Sequence, residues 1–197
     1  MKPVVISQRI DYFPSHSEYR DTLDHRLISL ALANKLLPYT LPNTLSTHLF
    51  SWLDHLSPHL IILSGGNDIQ ALPLRDKTEL LLLDYCYAHS LPVFAICRGM
   101  QMLAYREGIP LRSISNHVAT SHRLAAFNNP TVNSYHNLSI DRCPPSYEVI
   151  ATADDGEIEA IRHRTLNWVG CMWHPERPFG YQSFFEEFLK QAELPKS

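Results

Sequence analysis

The chain reads as an α/β protein, a three-layer sandwich with a mainly parallel central sheet. Three observations lead there. Short apolar runs at residues 4–6, 60–63 and 91–96 suit strands buried on both faces. Longer segments with apolar residues at helical spacing alternate with them, and that alternation implies parallel pairing with right-handed crossovers. Across 197 residues, 45% of them apolar, the pattern supplies one substantial core without repeat or linker, so residues 1–197 are expected to form a single domain.

Val4, Val5 and Ile6 make the first strand. A helix over residues 21–35 follows, with Leu23, Leu27, Leu30 and Ala31 as its buried stripe. Residues 36–41 return as a second strand and 60–63 as a third. Leu80, Leu83 and Tyr87 mark a second helix, which leads into the strand behind Pro92. Residues 98–107 then suit a helix that stops at Gly108 and Pro110. Residues 112–137 hold no clear period, are rich in Asn, Ser and His, and are expected to be irregular; such a segment inside a compact domain is usually functional or mobile. Short strands follow over 147–152, 157–162 and 167–173, with Asp154, Asp155 and Gly156 as the hairpin turn between the first two. Residues 180–189 close the fold as a helix whose Phe184, Phe185 and Phe188 belong to the core.

Composition narrows the function classes. A net charge of −3 gives no basic footprint for nucleic acid or an anionic membrane surface. No apolar run approaches the roughly 18 residues of a membrane span, and the first residues are too brief for a signal peptide, so a cytoplasmic address is expected. The four cysteines, Cys86, Cys97, Cys143 and Cys171, have no framework spacing and are expected to be reduced thiols. His55 and His59 have a helical ligand spacing, but Pro58 between them disrupts the helix that would align them. Ser64, Gly65, Gly66, Asn67 and Asp68 lack the third glycine or lysine of a phosphate loop. Neither metal nor cofactor is therefore expected, and nothing in the pattern requires an oligomer.

Chemistry concentrates at Cys97. It lies between an apolar strand and a helix, with small residues, Ala95 and Gly99, two positions to either side, as a sharp nucleophile elbow requires. The free N–H groups of a helix start favour an anion at that turn. Near the other end, a strand delivers His174, and Pro175 stops that strand and fixes the turn, so that Glu176 can approach the imidazole from behind. A carboxylate on one ring nitrogen leaves the other for the thiol. In a parallel sheet these groups and the loops after Ser7 and Leu63 should share the carboxyl edge of the strands.

The runs AICRGMQ around Cys97, SGGNDI from Ser64 and MWHPE ending at Glu176 resemble the class I glutamine amidotransferase domain, a flavodoxin-like fold. Within that superfamily the chain most resembles the gamma-glutamyl hydrolase branch of cysteine peptidases. Asp68 two places after a glycine pair, Arg98 after the cysteine, VNSYH from Val132 and DGEIEAI from Asp155 carry this finer likeness. Departures are Ala95, where the family usually has glycine, Met172, where glutamine is common, and the stretch after Gln101. The resemblance implies hydrolysis of a gamma-glutamyl amide through a thioester on Cys97, with His174 moving the proton and Glu176 orienting it. It also implies an oxyanion hole from the N–H groups of Gly66 and Arg98, the latter at the helix start. Gln101 would hold the glutamyl part, and Asn133, Ser134, Tyr135 and His136 would approach its amino and carboxylate ends. The partner is then a small gamma-glutamyl conjugate. ISQRID from Ile6 and RDTLDHRL from Arg20 resemble members that hydrolyse a gamma-glutamyl cytidylyl amidate in surface-polysaccharide synthesis. The same triad would also serve a glutaminase subunit that passes ammonia to a synthetase partner. A catalytically silent binding module is disfavoured by the complete set Cys97, His174 and Glu176.

Overall fold

The computed structural model describes residues 1–192. β1 (Lys2–Ser7) is followed by an antiparallel hairpin of β2 (Arg9–Phe13) and β3 (Glu18–Thr22). That hairpin corrects the expected start of the first helix: residues 18–22 are drawn into pairing, Ile10 opposite Asp21 and Asp11 opposite Arg20. The helix α1 (His25–Ala33) begins instead at its N-cap Asp24, whose carboxylate accepts the Arg26 N–H at 3.0 Å. Leu27, Leu30 and Ala31 form its buried face. β4 (Leu36–Leu41) is as expected, whereas α2 (Leu49–Leu56), which buries Leu49 and Leu53, is an addition to the expected order. β5 (Leu60–Leu63), α3 (Pro73–Ala88), β6 (Val93–Ile96) and α4 (Arg98–Arg106) continue the alternation.

Residues 112–137 are not irregular. β7 (Leu111–Ser113), β8 (Val118–Arg123), β9 (Thr131–Tyr135) and β10 (Leu138–Ile140) form two small ribbons, β8 with β9 and β7 with β10. Their strands escape the sequence pattern because β8 is largely exposed and the pairing slips between Val118 and Thr120, which breaks the two-residue period. β11 (Tyr147–Thr152), β12 (Ile158–His163), β13 (Trp168–Cys171) and α5 (Ser183–Ala192) complete the fold.

The main sheet has seven strands in the order β11-β12-β13-β6-β5-β1-β4. The five from β13 to β4 are parallel, and β11 and β12 add an antiparallel edge. Side chains alternate across it. Leu60, Ile62, Phe94 and Ile96 join Leu27 and Ala31 of α1 and the phenylalanines of α5 in one core. Ile61, Leu63, Val93 and Ala95 meet Leu82 and Leu83 of α3 and Met100 and Leu103 of α4 in the other. Each buried Val, Leu, Ile, Phe or Met among these contributes about 1.5–3 kcal/mol. Phe94 is the keystone toward α5, its ring centroid 4.8 Å from Phe185 and 5.2 Å from Phe188. Parallel strands with helices on both sides direct the ends of β1, β5, β6 and β13 to one edge, where Ser7, Ser64, Cys97 and, three residues past Cys171, His174 follow.

Candidate active site

Cys97 is the N-cap of α4, at φ 51° and ψ −107°. A non-glycine residue there costs on the order of 1–3 kcal/mol and persists only where its surroundings enforce it. Here the Cys97 N–H donates to the Cys171 carbonyl at 2.7 Å, tying the elbow to β13. α4 passes so close to β5 that a Cβ on Gly99 would stand 2.5 Å from the Leu63 carbonyl oxygen. The small residue after the cysteine is thus a packing requirement. The N–H groups of the first turn, Arg98 among them, have no acceptor within the helix.

His174 reaches the same place from β13. Gly65 shows how tightly the groups converge: a Cβ added there would lie 2.8 Å from His174 Cε1, 3.6 Å from its Nε2 and 3.6 Å from Cys97 Cβ. Glu176 Oε1 lies 2.7 Å from His174 Nδ1 and accepts a hydrogen bond from it. Burial opposes charge on the imidazole, but hydrogen bonds to Cys97 and Glu176, with their negative charge, raise His174 to about 9. The other fully buried thiols, Cys86 and Cys171, are pushed up by desolvation and stay protonated. All four cysteines are free.

Beneath the elbow lies a buried ionic network that the sequence pattern does not reveal. Arg98 pairs with Asp76 and Glu79, and Arg75 pairs with Glu79 at 3.1 Å. Burial alone would raise the Glu79 carboxyl, but the two guanidinium groups hold it below the usual range. Arg98 therefore contributes its charge to the scaffold rather than to the pocket. Arg75 has a further task. It donates to the carbonyls of Ser64 at 2.9 Å and Gly65 at 3.1 Å, and also to that of Gly66. Because a trans peptide points its C=O and N–H in opposite directions, holding the Gly65 carbonyl turns the Gly66 N–H away from Arg75. Gly66 itself sits at φ +81°, a conformation that glycine tolerates without strain.

The residues expected around the glutamyl group divide. Tyr135 is exposed, its ring edge against His174 at 5.7 Å and beneath the Arg177 guanidinium at 4.5 Å. Asn133, Ser134 and His136 are buried, with their polar atoms bonded within the chain. Asn133 bonds both backbone groups of His174, Ser134 Oγ donates to the His117 carbonyl at 2.7 Å, and His136 faces Glu159. Gln101 is also buried and donates to the Leu138 carbonyl at 2.9 Å. A cavity of about 320 Å³ opens over Gly65, Gly66 and His174, walled by Arg9, Asp11, Thr22, Asp24 and Arg177. The β2–β3 hairpin, invisible in the sequence pattern, builds one wall.

Comparison with known proteins gives the family. Residues 13–191 match the model of the glutamine amidotransferase class-I family. The chain belongs to that family. A relative in this glutamine amidotransferase group, the gamma-glutamyl-CDP-amidate hydrolase of Campylobacter jejuni, is 30% identical over 195 residues, covering 94% of each chain. The glutamine-hydrolyzing GMP synthase subunit of Methanosphaera stadtmanae is 28% identical over 189 residues, covering 89% of this chain and 94% of its own. Among solved structures, a Thermotoga maritima glutamine amidotransferase has the same fold, with a TM-score of 0.65 at 15% identity over 98% of this chain and 86% of its own. The amidotransferase fold of this chain is thus an enzyme fold for cysteine-dependent hydrolysis of a gamma-glutamyl amide bond. Among the described residues no helix is long and apolar enough to cross a membrane.

Proposed function

We propose that Cys97, His174 and Glu176 are a catalytic triad that hydrolyses a gamma-glutamyl conjugate without a synthetase partner. The observation that carries this reading is the convergence at Gly65, where a single added Cβ would meet both the His174 ring and Cys97 Cβ while Glu176 holds the far nitrogen. The Cys97 thiolate attacks the side-chain amide carbon, and the oxyanion draws on the N–H groups of Gly66 and Arg98. As the carbon–nitrogen bond breaks, His174 gives its proton to the leaving nitrogen. It then takes a proton from water, which attacks the thioester and releases glutamate and free Cys97.

The favoured leaving group is a nucleotide phosphoramidate. The relative named for a gamma-glutamyl-CDP-amidate matches along 94% of both chains, and Arg9 and Arg177 flank the mouth of a cavity of about 320 Å³. The second reading, a glutaminase that serves a synthetase, is favoured by the GMP synthase relative, whose own chain is covered over 94% of its length. One experiment separates them. The purified chain is given gamma-glutamyl-CDP-amidate, a set of gamma-glutamyl amines and free glutamine, and products are followed by mass spectrometry. Release of glutamate from a conjugate by the chain alone, abolished in Cys97→Ala, is expected. Turnover of free glutamine only after a synthetase is added would favour the second reading, and equal turnover by wild type and Cys97→Ala would reject the nucleophile.

A further inference from the structure

A second cluster of titratable side chains lies where the β8–β9 ribbon meets β12. Glu159, on β12, is wholly buried. His117 Nδ1 stands 3.5 Å and His136 Nε2 3.3 Å from its Oε1, and His122 Nε2 stands 3.2 Å from its Oε2. Neither of its oxygens has a hydrogen bond of acceptable geometry. A buried carboxylate in that condition is costly, by several kcal/mol for an uncompensated ion.

The outer nitrogens explain how the inner ones are poised. His117 Nε2 lies 2.8 Å from Asp155 Oδ2, and His136 Nδ1 lies 3.1 Å from the Leu138 carbonyl. Both outer partners are acceptors, so in the neutral rings the protons sit outside and the lone pairs of His117 Nδ1 and His136 Nε2 face inward. Such outer carboxylate and carbonyl partners are what orient metal-bound imidazoles. The inner atoms form a near-equilateral triangle: the two nitrogens are 3.3 Å apart, and each is 3.3 or 3.5 Å from Glu159 Oε1. Tetrahedral coordination with bonds of about 2.0–2.1 Å places its donors about 3.3–3.4 Å apart.

We propose that His117 Nδ1, His136 Nε2 and Glu159 Oε1 bind a divalent transition-metal ion of the zinc type, with a water completing the coordination. Two imidazoles and one carboxylate suit zinc or cobalt and not magnesium or calcium, which take oxygen ligands. The site is structural: the cavity that holds Gly65 and His174 is lined by none of its residues. A two-stranded ribbon is marginally stable by itself. The metal would pin β8 and β9 to β12, and β9 carries Asn133, which grips His174. The site thereby stabilises the part of the fold that positions the imidazole.

The test uses the full chain, in wild-type form and as Cys97→Ala so that the nucleophile cannot act as a ligand. After treatment with a chelator, cobalt(II) is added and followed by visible absorption, then displaced by zinc, with the metal content measured by mass spectrometry. One equivalent per chain, a four-coordinate cobalt spectrum in both forms, and a melting temperature raised by zinc are expected; Glu159→Gln and His117→Asn should lose all three. Absence of stoichiometric binding to the folded wild type overturns the site and leaves a cluster held by protons. Binding that survives in folded Glu159→Gln also overturns it, by assigning the metal to other histidines. If both variants fail to fold, the cobalt spectrum of the wild type decides, since a six-coordinate spectrum excludes the proposed geometry.

Discussion

Asn133 holds His174 by both of its backbone groups: the His174 N–H donates to Asn133 Oδ1 at 2.9 Å, and Asn133 Nδ2 donates to the His174 carbonyl at 3.0 Å. A side-chain amide here does the work of a neighbouring strand, in a stretch where β13 has already ended at Cys171. Asn133 Nδ2 also donates to the Pro178 carbonyl at 2.9 Å, which ties the following turn to the same point.

Asn133→Ala should therefore act through geometry rather than through ligand affinity. Loss of these bonds frees the His174 backbone, and a misplacement of about 1 Å costs about 100-fold in rate. The expected outcome is kcat lowered about 10- to 100-fold with KM changed less than about threefold. A rise in KM at unchanged kcat would instead assign Asn133 to substrate contact.

Arg75→Lys tests the loop. One guanidinium serves three successive carbonyls and Glu79, a fork that an ammonium cannot reproduce. The Gly66 N–H should lose its fixed orientation, and kcat should fall about 100-fold, the scale of one lost oxyanion donor. Leaving Glu79 short of a partner should also lower the melting temperature. Unchanged kcat in a destabilised protein would mean that Arg75 supports the fold without setting the Gly66 donor.

Gly65→Ala separates convergence from folding. The added methyl would lie 2.8 Å from His174 Cε1, closer than real contacts permit, so the ring must shift relative to Cys97. A drop in kcat of at least about 10-fold with a nearly native melting curve is expected. If crystals of the variant showed the ring undisplaced and activity intact, the groups would be less closely coupled than the native packing indicates.

The sequence exposes Cys97, His174 and Glu176 as candidates because they follow apolar strands, where a change of period marks a turn. It conceals Arg75 and Glu79, since charges at these helical positions look like a solvated face; they are buried only because Arg98 of α4 packs against them. The β2–β3 hairpin is concealed for another reason. Only Ile10 of its strand residues is buried, and Tyr12, Tyr19 and Arg20 are exposed, so no apolar alternation records which face is inward. His117, His136 and Glu159 lie apart in the chain, and only the folding of a ribbon onto a sheet edge brings them together.

The charge on His174 gives the last prediction its sign. Burial disfavours the imidazolium, but Cys97 and Glu176 outweigh it and raise the group from 6.5 to about 9. At neutral pH the ring thus keeps the proton that the leaving nitrogen needs, and kcat/KM should fall as pH rises through about 9. Stability follows the same proton. The folded chain binds it more tightly than the unfolded one, so this contribution is complete below 6.5, shrinks above it, and is gone once pH has passed about 9. Glu176→Gln removes one of the two groups that raise His174 and offers no carboxylate to fix its tautomer. Its kcat should drop about 100-fold or more, and the basic limb of its profile should move to lower pH. Profiles of kcat/KM measured on both sides of neutrality for the two proteins give the answer: a basic limb at the same pH in both would show that the carboxylate at 176 does not govern the imidazole.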